Sequence, residues 1–124
     1  MIGTDLVGDD PVGAFGRTAD EQAAAFEEPG ALDQIVHHPA FDMPATQMLE
    51  FRIGDMLLHA WDLARAIGAD EQLDVELVAH VYEGLLPLAE ALPANGAFGA
   101  GRSADITDDA PLQQRLLDLT GRRP

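Results

Sequence analysis

Asp55, His59 and Asp62 are the residues of this chain best suited by type and spacing to do chemistry. At ~100° per residue of an α-helix they fall within about 60° of one another, so they line one strip along two turns, bordered by Arg52. A carboxylate and an imidazole one turn apart can both reach one divalent ion, since Asp oxygen and His nitrogen suit zinc and similar metals. Asp55 and His59 are therefore the candidate metal ligands. Two ligands make a weak site, and a third is needed from another element. The other histidines are His37, His38 and His80. His37 and His38 precede the helix, where one could fold back toward the strip or both could form a surface pair. His80 reads equally well as an ordinary half-buried histidine.

A plainer reading competes with this one. On a solvated face Arg52 pairs with Asp55, and Asp62 with Arg65, at i,i+3 spacing for a few tenths of a kcal/mol each. The surroundings argue against it. Phe51 and Leu58 flank the strip on one side and Met56 and Leu63 on the other, with Ile53, Leu57 and Ala64 behind. Gln47, Glu50 and Arg65 form a separate polar edge that suits water better, so the strip is expected to be partly buried.

The helix that carries the strip has clear ends. Thr46 is a good N-cap, the segment to Ile67 has no proline and a single glycine, and Gly68 suits the left-handed position after the last turn. Before it, Asp9-Asp10-Pro11 predicts a helix from Pro11 to about Glu28, ended by Pro29-Gly30, with Val12, Phe15, Ala19, Ala23 and Phe26 as its core face. From Ala31 to Ala45 the helical period is lost: Ile35 to Pro39 is a short extended-looking run and Phe41 to Pro44 reads as a turn, so that a short strand pair or an ordered loop fits equally. After it, Asp74 is expected to cap a third helix to about Leu92, kinked near Glu83 to Pro87. Leu77, Val78, Val81, Leu85, Leu88 and Leu92 would form its apolar stripe. Pro93 to Thr107 reads as a long surface loop, and Asp108-Asp109-Ala110-Pro111 as the start of a short helix that packs Leu112, Leu116, Leu117 and Leu119 inward. The fold class is all-α: a single domain over residues 1–124, with three main helices plus a short C-terminal helix.

Composition narrows the function. The chain has 124 residues, of which 47% are hydrophobic, enough for one domain with a real core. Its 22 acids against 7 bases, a formal charge of −15, repel phosphate backbones and anionic lipid surfaces, so nucleic acid and membrane are not expected partners. No cysteine is present, which removes disulfides, thiolate ligands and a cysteine nucleophile; any thiol must come from outside. The first twenty residues lack a basic-then-apolar run and no apolar stretch approaches a membrane span, so a cytoplasmic location is expected. All seven bases are Arg, which GC-rich codon usage alone produces.

The run Asp55-Met-Leu-Leu-His59-Ala-Trp61-Asp62-Leu-Ala-Arg65-Ala-Ile-Gly68 resembles the D-x-L-x-H-x-W-D-L-A-R-A-x-G signature of proteins related to mycothiol-dependent maleylpyruvate isomerase, a group with the DinB-like metal-binding helical-bundle fold. The likeness extends to Leu6-Val-Gly-Asp-Asp-Pro11, Pro29-Gly30-Ala-Leu-Asp33, Met43-Pro44 and the segment from Leu116 to Arg122. It implies a DinB-like up-down bundle with one helix missing at the N-terminus, the helix that carries the family's first histidine ligand. The family's acid and histidine ligands map onto Asp55 and His59, with Asp standing where the family has Glu. A missing bundle helix would expose an apolar face, and such faces are association surfaces, so a homodimer is expected.

Two functions follow as expectations. By resemblance the chain is a divalent-metal-dependent thiol transferase or isomerase, with zinc or nickel as the metal, mycothiol as the small-molecule thiol, and Asp62 and Arg52 supporting the two ligands. In the alternative it is a non-catalytic helical dimer that has lost a complete metal site. There Trp61 is a core anchor, and Asp55 and Asp62 are partners for Arg52 and Arg65.

Overall fold

A computed structural model describes residues 5, 7–39, 41–95, 98–103 and 105–124. Positions 1–4, read above for a signal segment, Leu6 of the resembling run, Ala40, and positions 96, 97 and 104 of the expected long loop lie outside the described residues. The chain is mainly helical: α1 spans Pro11–Glu27, α2 Ala45–Ile67, α3 Val75–Leu85 and α4 Leu112–Leu119, with a two-stranded sheet between α1 and α2. It divides into two compact units, Met1–Leu49 and Glu50–Pro124.

In the first unit the helix start read from the sequence is present in atomic detail. The Asp10 side chain accepts from the Gly13 amide at 2.9 Å, and Pro11 occupies the first turn, where a missing N–H costs nothing. The irregular segment is a strand pair, not a loop, and Asp42 to Pro44, expected within a turn, pairs as its second strand. β1 (Ile35–His37) and β2 (Asp42–Pro44) run antiparallel with Val36 opposite Met43. Ala45, whose amide donates to the Gln34 carbonyl at 2.9 Å, begins α2 directly from β2, so the helix starts one residue before the expected Thr46 cap. The apolar face expected on α1 is not a core face: Val12 and Phe15 are 82% and 61% exposed, and Ala14 is the buried residue of the helix.

The second unit holds the core. Leu57, Leu58 and Trp61 of α2 pack with Val78, Val81 and Tyr82 of α3 and with Leu116, Leu117 and Leu119 of α4. Asp74 caps α3 by accepting from the Glu76 and Leu77 amides, both at 3.0 Å. The break expected near Pro87 occurs as a change to 3-10 geometry over Leu86–Leu88, because a proline there cannot donate to the helical ladder. Leu77 and Leu88 of the expected stripe face solvent, while Tyr82, not assigned to it, is buried. α4 begins at Leu112 with no side-chain cap from Asp108 or Asp109. The loop before α4 includes a further 3-10 turn at Leu92–Asn95. No helix among the described residues is long and apolar enough to cross a membrane.

Candidate functional site

The strip on α2 forms a continuous ladder of charge contacts. Arg52 Nη1 donates to Asp55 Oδ2 at 2.7 Å, His59 Nε2 lies 3.3 Å from Asp55 Oδ1, and His59 Nδ1 lies 2.9 Å from Asp62 Oδ2. Asp62 is then gripped from the C-terminus. Arg122 Nε donates to its Oδ1 at 2.8 Å and Arg122 Nη2 to its Oδ2 at 2.7 Å, a two-pronged carboxylate–guanidinium pair. That guanidinium, helped by His59 and opposed by partial burial, holds the Asp62 carboxyl below its ordinary value of 3.8.

Helical spacing places the acids on either side of the imidazole and Arg52 at the far end, as the sequence implied. The anchor was not visible there. Arg122 lies 60 positions from Asp62 and reaches it only because α4 returns along the core and the chain turns after it at Gly121, where φ is +77°. No local spacing signals such a contact. The expected Asp62–Arg65 pair is absent for the same reason: Arg122 occupies both Asp62 oxygens. Arg65 instead lies over the Trp61 ring, 4.5 Å from its centroid, and donates to Glu71 Oε1 at 3.2 Å and to the Arg123 carbonyl at 2.6 Å. Trp61 itself is 4% exposed, a core anchor.

The expected partial burial of the strip holds only at its end. The His59 side chain is 65% exposed and that of Asp55 44%, whereas Asp62 is half-buried. Of the four apolar flanks Leu58 alone is buried; Phe51, Met56 and Leu63 face solvent. The polar edge of Gln47, Glu50 and Arg65 is exposed as expected. α2 therefore packs along one face, through Leu57, Leu58 and Trp61, and leaves the strip at the margin of that face.

The other histidines have partners of their own. His37 Nδ1 meets Asp42 Oδ1 at 2.9 Å across β1 and β2, where the two residues are register partners. The His38 ring lies 6.1 Å from that of Phe41. His80 is half exposed and its Nε2 lies 2.6 Å from Glu50 Oε2, joining α3 to α2. Among the described residues no group of three or more His, Asp or Glu side chains stands where it could hold a metal ion. Asp55 and Asp62 address different nitrogens of His59, so the strip offers two ligands and a support, not three ligands.

The donor set nevertheless suits a metal. In the tautomer that donates Nδ1–H to Asp62, the imidazole would present the Nε2 lone pair on the side of Asp55, the orientation that a carboxylate imposes on metal-binding histidines. Asp55 Oδ1, with Oδ2 held by Arg52, lies beside that nitrogen.

No family model matches the chain, and no solved structure matches it. Two proteins of Mycobacterium tuberculosis are similar to it: the uncharacterized protein MT0763 of strain CDC 1551 / Oshkosh and the uncharacterized protein Rv0738 of strain ATCC 25618 / H37Rv. Each is 36% identical over 107 residues, covering 82% of this chain and 56% of the relative. The chain therefore spans about half the length of these curated relatives.

Proposed function

We propose that the α2 strip is part of a divalent-metal site, with Asp55 and His59 as ligands and with Asp62, anchored by Arg122, as the group that sets the tautomer of His59. One observation carries this reading: the His59 ring is held between two carboxylates by different nitrogens, and the outer carboxylate is fixed by a bidentate guanidinium. A merely solvated face needs no such support. Arg52 restrains the Asp55 carboxylate through one oxygen and leaves the other toward His59.

The resemblance to the mycothiol-dependent isomerase group suggests the chemistry, that of a DinB-like bundle in which a zinc or nickel ion would lower the pKa of a small-molecule thiol such as mycothiol and orient it. The absence of cysteine is in keeping with a thiol supplied from outside. A third protein ligand would come from beyond the described residues or from a second chain. Elemental analysis of protein purified from zinc- and nickel-supplemented cells tests the site: close to one metal per site is expected, lost in His59→Ala. Metal content below about 0.1 per chain and unchanged by the substitution would remove the proposal.

A second reading, a non-catalytic helical dimer, is favoured by a different observation. Met56, Leu63 and Ile67 fall within about 40° of one another on α2, beside His59, and are 41%, 61% and 69% exposed. Such a stripe fits association with a second copy. Light scattering on the eluting protein decides it: a monomer at all concentrations rules out the dimer, and a dimer without metal favours it over the enzyme.

A further inference from the structure

Away from the strip, two guanidinium groups converge on one buried phenol. The Tyr82 hydroxyl oxygen accepts from Arg102 Nη2 at 3.0 Å and from Arg115 Nη2 at 2.8 Å, and the Arg115 guanidinium lies 4.9 Å from the Tyr82 ring centroid. With both lone pairs of that oxygen used, its own O–H remains to be donated. Each guanidinium carries five N–H donors, and among the described residues most of the donor capacity of the pair is still available.

The charge balance here is unlike that of the neighbouring arginines. Arg52, Arg65, Arg122 and Arg123 each have a carboxylate oxygen at 2.7 to 3.2 Å. Among the described residues the carboxylate paired with Arg115 is that of Asp108, at 3.8 Å and with that side chain 91% exposed. Among the described residues no carboxylate lies within ion-pair distance of Arg102. Two cations thus meet on a neutral oxygen in a chain whose formal charge is −15. Among the described residues their mutual repulsion is offset by the exposed Asp108 alone.

The position of Arg102 is fixed by the residues on both sides. The Gly101 carbonyl accepts from Arg123 Nη2 at 3.3 Å, and the Ser103 amide donates to both oxygens of Asp118, at 3.0 and 3.1 Å. Asp118 is itself buried and paired with Arg123 at 3.0 Å. Gly101 has φ +71°, and a Cβ there would stand 2.7 Å from Pro93 Cγ, so the turn that presents Arg102 requires glycine. Backbone anchoring of this kind reduces the ordering cost of binding.

We propose that Tyr82, Arg102 and Arg115 form a site for a compact oxyanion, a phosphate or a carboxylate group. The planar guanidinium forks match the oxygens of either, and the phenol O–H supplies a further donor of the right sense. This proposal is independent of the metal reading, because the two sites share no residue.

The test uses the full chain, with inorganic phosphate and succinate as separate probes at constant ionic strength set by sodium chloride. Thermal unfolding is expected to show a saturable rise in midpoint with one or both probes beyond that given by chloride. The probe that responds distinguishes phosphoryl from carboxylate ligands. Arg102→Gln, at an exposed position, is expected to weaken the apparent affinity about ten-fold. Arg115→Gln is expected to do the same, with folding of both variants checked by far-UV circular dichroism. The proposal is overturned if neither probe exceeds chloride, or if folded Arg102→Gln responds as the wild type does.

Discussion

The two units differ in what their helices bury. α3 and α4 close a core in which Leu116, Leu117 and Leu119 have no exposed surface, whereas α1 buries Ala14 and leaves Val12 and Phe15 in solvent. Both α1 and α3 satisfy the same rules of apolar spacing and N-capping. Periodicity and caps are therefore sufficient to make a helix and insufficient to say that its apolar face is covered; coverage depends on a partner element.

Large-to-small substitutions expose that difference most strongly. Leu117→Ala is expected to destabilise the protein by about 3 kcal/mol, from lost burial and a residual cavity, while Phe15→Ala should stay within about 0.5 kcal/mol. Urea denaturation compares the two, and a Phe15→Ala effect as large as that of Leu117→Ala would mean that the α1 face is covered in solution. Next in size, Asp118→Asn removes a buried charge that accepts from Ser103 and Arg123, at a cost of about 2 kcal/mol in the same assay.

The Asp62–Arg122 pair is partly buried, and Arg122→Gln should cost about 1 kcal/mol. Its pH signature is sharper. The Asp62 pKa is lowered on folding, so its contribution is present above the ordinary value of 3.8 and is lost as pH falls through the lower folded value. Arg122→Gln should raise that folded value and flatten the acid limb of stability below pH 3.8, read by chemical denaturation at stepped pH. Of similar or smaller size, Asp10→Ala and Asp74→Ala each remove one cap, for about 1 kcal/mol at most. Because α1 contributes little core, hydrogen exchange should show local fraying after Asp10→Ala, whereas Asp74→Ala should lower stability throughout the second unit.

The same contrast explains what was legible in the sequence. Caps such as Asp10 and Asp74, the break at Pro87 and the Asp55–His59–Asp62 alignment are local, set by chemistry within a few residues, and the structure contains each of them. Contacts between distant positions were not legible. Arg122 on Asp62, Arg65 on Trp61 and Glu71, and two arginines on Tyr82 all depend on how α4 and the loop before it return to the core. Exposure of the strip is illegible in the sequence for a related reason. Flanking apolar residues imply cover, but α2 buries Leu58 and leaves Phe51, Met56 and Leu63 outside.

The proposed metal site requires that Asp62 set the tautomer of His59 so that Nε2 is the metal-binding nitrogen. Long-range proton–nitrogen correlation spectra of the His59 imidazole, recorded at pH 8 with and without zinc, address it directly. An Nδ1–H tautomer is expected in the free protein and a zinc-induced shift confined to Nε2, with that preference lost in Asp62→Asn. An Nε2–H tautomer, or a His59 ring that zinc leaves unperturbed, would contradict it.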